Sequence, residues 1–128
     1  MWRNLLLVAF GGAAGSVLRY LASVLTAKYI SSAFPIATFA VNVLGCFLVG
    51  FFFGYLEKNQ LSDSGMKWLL ITGFCGGFTT FSAFSLENIK LFQNGNPALA
   101  LIYIGSSIIT GLAAVWLGLV ISDLQQSA

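Results

Sequence analysis

The chain has 128 residues, of which 58% are hydrophobic and only 8% charged, with a mean hydropathy of +0.89. A water-facing surface usually carries about a quarter charged residues, so this composition excludes a soluble globular domain and points to an all-α membrane protein. Six basic and four acidic residues, for a net charge of +2, are too few and too scattered for a nucleic-acid surface.

A spanning helix needs roughly 20 apolar residues, so the length accommodates about four spans in one transmembrane domain covering residues 1–128. The first is predicted over residues 5–27, with Trp2 and Arg3 before it and Lys28 and Tyr29 behind it as interfacial anchors. A secretory leader competes for this stretch, because Arg3, a short apolar run and small residues mimic its three regions. Apolar character resumes after Arg19 and runs to Leu25, which favours the span. Residues 31–35 form a turn, and Pro35 can open the next helix, where its missing N–H has no partner to lose. The second span is predicted over 36–56, followed by a polar loop to residue 66. Lys67 and Trp68 anchor a third span over 67–92, residues 93–97 form a turn, and 98–122 make the fourth.

Four spans place the N-terminus, the middle loop and the C-terminus on one side. Arg3, Lys58 and Lys67 then oppose Lys28 and Lys90, with Arg19 leaning toward the second group. So even a balance of basic residues allows insertion in both orientations, and two opposed copies can form an antiparallel homodimer. A single orientation set by some other feature is the alternative. Gly11 with Gly15, and Gly50 with Gly54, have the GxxxG spacing that lets apolar helices approach closely, within one chain or between chains.

The third span contains Gly73-Phe-Cys-Gly-Gly-Phe-Thr-Thr-Phe-Ser-Ala-Phe-Ser85. Three glycines and four hydroxyls there predict a broken helix. Unpaired backbone at membrane depth survives only when buried in protein or lining a polar cavity, so the break is read as an ion site. No enzyme constellation is present: the chain has no histidine, and it carries no HExxH and no phosphate-cradling motif. Cys46 and Cys75 lack metal-ligand spacing and are read as small core residues.

The intramembrane polar inventory is rich in donors. Asn42 follows Thr38 by four residues and shares its helical face; its amide offers N–H groups to an anion or to a neighbouring helix. Arg19 either faces a vestibule or serves structurally, by snorkelling or donating to loop carbonyls. Glu87 is read as an interfacial carboxylate or the partner of a nearby base, with a proton relay as the alternative. Phe81 and Phe84, three residues apart, pack against lipid or core, or present positive ring edges to a small desolvated anion. Tyr103 and Ser107, one turn apart, add a polar stripe facing away from lipid.

These features resemble the Fluc (CrcB) family of small bacterial fluoride channels over essentially the whole chain. The carriers are the 73–85 motif, Asn42-Val-Leu-Gly45, and Gly11-Gly-Ala-Ala-Gly15 with Arg19-Tyr20. The resemblance implies an antiparallel dual-topology homodimer in the bacterial inner membrane, with two pores for passive fluoride export and a structural Na+ at the dimer centre. It assigns Phe81 and Phe84 as pore phenylalanines and Asn42 as the pore asparagine. Gly76 and Thr79 match the positions whose backbone carbonyls hold the Na+. Thr38, Ser82, Tyr103 and Ser107 match hydroxyls along the ion route. Ala83 stands where many relatives carry threonine, and Gly111 cannot extend the hydroxyl track beyond Ser107. A small multidrug-type proton-coupled exporter is the runner-up, weakened because no Asp or Glu precedes residue 57. A non-transporting assembly subunit would leave the break without a purpose.

Overall fold

The computed structural model describes residues 1–127. Among the described residues there is no strand, and four helical segments are long and apolar enough to cross a membrane. α1 runs Trp2–Tyr29 and α2 runs Ile36–Lys58. α3 is composite: a helical turn at Gly65–Lys67, π turns over Trp68–Cys75, and a short helical piece at Gly76–Phe78. α4 runs Phe81–Gln93 and α5 runs Pro97–Ser127. Thus α3 and α4 together make the third crossing.

The first three crossings extend a turn or less beyond the expected spans, because the interfacial residues at their ends continue the helical backbone. α5 overshoots further, running past Ser122 to Ser127. Pro35 precedes the first helical residue of α2 as its cap rather than occupying the first turn. Two connections end their helices in the same way. Leu61 N–H bonds the Leu56 carbonyl at 2.8 Å after α2, and Asn96 N–H bonds the Leu91 carbonyl at 2.9 Å after α4. This geometry needs a left-handed residue just past the helix. Gly95 supplies it with φ +76°, but after α2 the position is held by Gln60 with φ 56°. Gln60→Gly should therefore stabilise the protein by about 0.5–1 kcal/mol; a thermal melt in detergent that fails to rise would refute this.

Packing is pairwise, α2 against α5 and α1 against α3. Small residues permit both contacts. A Cβ at Gly50 would fall on the Val115 carbonyl, and one at Gly118 on the Phe47 carbonyl. On α1, a Cβ at Gly15 would strike the Phe74 carbonyl and lie 2.7 Å from the Phe78 amide, whereas at Gly12 the nearest atom is 3.7 Å away. Both GxxxG pairs are therefore used inside the chain. Gly15→Ala should cost about 1–3 kcal/mol through overpacking and lower the melting temperature, while Gly12→Ala should be tolerated.

The π turns are a departure from the ordinary span expected before the break. Gly73, Gly76 and Gly77 defend an α turn poorly, and α1 presses on this stretch: a Cβ at Gly73 would lie 2.9 Å from the Val8 carbonyl. At the end of the π stretch, the Gly76 amide reaches back to the Ile71 carbonyl, five residues earlier. Such turns occur mostly near functional sites.

Candidate functional site

Between α3 and α4 the backbone leaves the helical region for two residues: Thr79 has φ −82°, ψ 160° and Thr80 has φ −151°, ψ 122°. Helix ends in an apolar medium must have their polar groups met by something, and here the neighbours meet most of them. The Thr80 hydroxyl caps α4 by accepting from Ala83 N–H at 3.2 Å, and lies 3.3 Å from the Ser82 hydroxyl. Asn42, on α2, closes a two-point clamp on Thr80. Its Oδ1 accepts from Thr80 N–H at 2.8 Å and its Nδ2 donates to the Thr80 carbonyl at 3.0 Å. Thr79 folds back on α3, where both its amide and its hydroxyl donate to the Cys75 carbonyl, at 3.0 and 2.9 Å.

Arg19 and Ser16, one turn apart on α1, converge on the Gly77 carbonyl, the arginine through Nε at 3.1 Å and the serine hydroxyl at 3.4 Å. In a continuous helix that carbonyl would accept from the Phe81 amide, so α1 replaces a bond that the break removes. The carbonyls of Gly76 and Thr79 receive no hydrogen bond among the described residues. Their helical donors would have been the amides of Thr80 and Ala83, which Asn42 and the Thr80 hydroxyl have taken.

A groove of about 430 Å3 opens beside the break. Asn42, Gly76, Thr79, Phe81, Phe84 and Ser107 are on its wall, as are Cys46 and Cys75. Cys75 is buried and Cys46 half-buried, so only the first is a core residue in the full sense. Phe81 is 79% exposed and stands 5.7 Å from the Phe84 ring, centroid to centroid. The Ser107 hydroxyl is enclosed yet has no partner among the described residues. Gly111, one turn beyond it, is buried facing Cys46.

Behind Phe84 the polar residues continue inward. Phe84 meets the fully buried Tyr103 edge to face at 5.0 Å, and Phe34 packs on Tyr103 at 5.1 Å. The Tyr103 hydroxyl donates to one oxygen of Glu87 at 2.8 Å and the Thr38 hydroxyl donates to the other at 2.6 Å. Glu87 thus has two hydroxyl donors and no basic partner; the only ion pair among the described residues joins Lys58 to Asp123 at 2.8 Å. The nearest base in sequence, Lys90, is exposed on α4. On the far side of Thr38 and Glu87 lies a second cavity of about 400 Å3, walled by Ser23, Thr26, Ser31 and Ser32 among others.

Three participants escaped the sequence reading. Thr80 is both cap and clamp partner, a role visible in principle as a hydroxyl three residues before Ala83 at a helix start. Asn88 is buried, donates to the Phe84 carbonyl at 2.9 Å and leaves its Oδ1 unpartnered. Phe34, in the first connection, carries no local signal for its place against Tyr103.

The chain matches the family described as CrcB-like protein, Camphor Resistance (CrcB), over residues 6–119. It is 50% identical over 120 residues to the fluoride-specific ion channel FluC of Flavobacterium psychrophilum, covering 94% of this chain and 97% of that protein. It is also 50% identical over 123 residues to the protein of that name from Azobacteroides pseudotrichonymphae, covering 96% and 98%. A third, from Rhizobium johnstonii, is 49% identical over 116 residues, covering 91% and 93%. With a family model matching nearly all of the chain and relatives at this identity aligned end to end, the protein belongs to the CrcB family.

Proposed function

We propose that the chain is a fluoride-specific ion channel of the bacterial inner membrane, exporting fluoride passively, and that it works as an antiparallel dual-topology homodimer with two pores. The observation that carries this reading is the coincidence of the relatives' shared name with a continuous run of donors and ring edges. Asn42, Ser107, Phe81 and Phe84 stand on the groove wall, Ser82 is beside Thr80, and Tyr103 and Thr38 lie behind Phe84. The near balance of basic residues on the two faces suits an opposed second copy.

Desolvated fluoride needs donors at each step, held firmly enough for entry and loosely enough for exit. Asn42 has one N–H remaining after its bond to Thr80, and the Ser82 and Ser107 hydroxyls have no acceptor committed beyond Thr80. The rings of Phe81 and Phe84 offer positive edges without a fixed charge, so a small anion is met but not trapped. Further in, the Tyr103 and Thr38 hydroxyls already donate to Glu87. Fluoride reaching them competes with that carboxylate for the same protons, which makes this segment an exchange of donors rather than a resting site.

The family resemblance also implies a structural Na+. Gly76 and Thr79 fit that role, since their carbonyls are unengaged and hard cations take oxygen ligands. When bound, such an ion supplies fixed positive charge that offsets the carbonyl dipoles and ties two broken helices together.

Purified protein in liposomes should release fluoride rapidly and chloride poorly, without a proton gradient. Equal efflux of both ions, or none from verified folded protein, would sink the reading.

A further inference from the structure

The break has two open carbonyls, and the two amides that would have served them, those of Thr80 and Ala83, are taken by the Asn42 and Thr80 side chains. In an uninterrupted helix, Thr80 N–H would bond the Gly76 carbonyl; here it donates to Asn42 Oδ1 at 2.8 Å instead. The same asparagine holds the Thr80 carbonyl through Nδ2 at 3.0 Å, at the residue that caps α4 and lies immediately before Phe81. We propose that Asn42 is a positioning residue that couples the two halves of the site: its Oδ1 withholds the Thr80 amide from Gly76, leaving that carbonyl free for a cation, while its Nδ2 anchors the start of α4 and so aims Phe81 and Phe84.

Thr80 has one amide proton, and a backbone N–H at membrane depth must find an acceptor. If Asn42 is absent, the amide's nearest available acceptor along the chain is the Gly76 carbonyl, and forming that bond closes the helix by one turn. The cation then loses a ligand. The space beside Gly76 is open, a Cβ there meeting nothing nearer than the Ile71 carbonyl at 3.9 Å. The two arms of the amide are chemically separable. An aspartate in place of Asn42 would keep the acceptor for Thr80 N–H and lose the donor to Thr80 C=O. Asn42→Asp therefore isolates the cation-freeing half from the α4-aiming half.

This inference rests on the Na+ reading above, and its test separates the two. Thermal melting and dimer content of the purified protein are measured in Na+ and in N-methyl-D-glucamine, alongside fluoride efflux. The wild type should melt higher in Na+. Asn42→Ala should lose that sodium-dependent shift along with fluoride flux. Asn42→Asp should retain most of the shift while flux falls, and Phe81→Ile should keep the full shift. A wild type indifferent to sodium overturns the cation reading and this inference with it. A sodium-responsive wild type matched by an equally responsive Asn42→Ala overturns the inference alone. Should Asn42→Ala fail to fold, loss of the shift in folded Asn42→Asp overturns it just as well.

Discussion

Phe81→Ile should lower fluoride efflux from liposomes by more than about tenfold while leaving the oligomeric state and the melting temperature nearly unchanged; a rise of about 1.4 kcal/mol at one step of passage is enough for that slowing. The expectation of a selective loss comes from position. Phe81 is 79% exposed and its closest aromatic neighbour is Phe84 at 5.7 Å, so little of the single chain's packing depends on the ring. Isoleucine keeps the apolar bulk that a covering surface would need but has no ring edge to offer an anion. Phe84→Ile should behave differently, because Phe84 also meets Tyr103 edge to face at 5.0 Å; it should lose stability as well as flux. Normal efflux through Phe81→Ile would remove that residue from the pathway.

The second large effect is expected at Glu87. Replacing both of its donors, Thr38→Val with Tyr103→Phe, leaves a half-buried carboxylate that neither hydroxyl serves. Each hydrogen bond to a charged group contributes roughly 1.5–3 kcal/mol, and the double change removes both. The double variant should therefore melt well below either single one. Adding Glu87→Gln to the double variant should recover much of the loss, since a neutral amide is less costly to leave without partners. A double variant as stable as the wild type would mean that Glu87 is solvated by another route, with the cavity beside Ser31 and Ser32 as the place to look. On the route proposed above, fluoride flux should fall in the double variant whether or not stability is rescued.

How much was legible in the sequence differs sharply from element to element. The spans were, because a run of apolar residues long enough to cross hydrocarbon is a local property; the helices overshoot the expected boundaries only at their ends. The density of glycine and hydroxyls over residues 73–85 marked the stretch where the backbone departs from the helix, and the same motif carried the family. The π turns were not legible: glycines within α3 weaken an α turn, but the close approach of α1 to Gly73 comes from another crossing.

The polar residues show the boundary most clearly. Their spacing announced that Thr38 and Asn42 share a face, and that Tyr103 and Ser107 do, but not which groups they would meet. Asn42 reaches a residue 38 positions away, Thr38 one 49 away, and Arg19 one 58 away. Glu87 was expected at the interface or beside a base and instead receives two hydroxyls, because Tyr103 is carried to it by the packing of α5 on α4. Composition and periodicity determine which residues lie at membrane depth and on what face, since both follow from 3.6 residues per turn and the thickness of the bilayer. Which freed backbone group finds which side chain is decided by how the helices cross, and only the tertiary structure contains that.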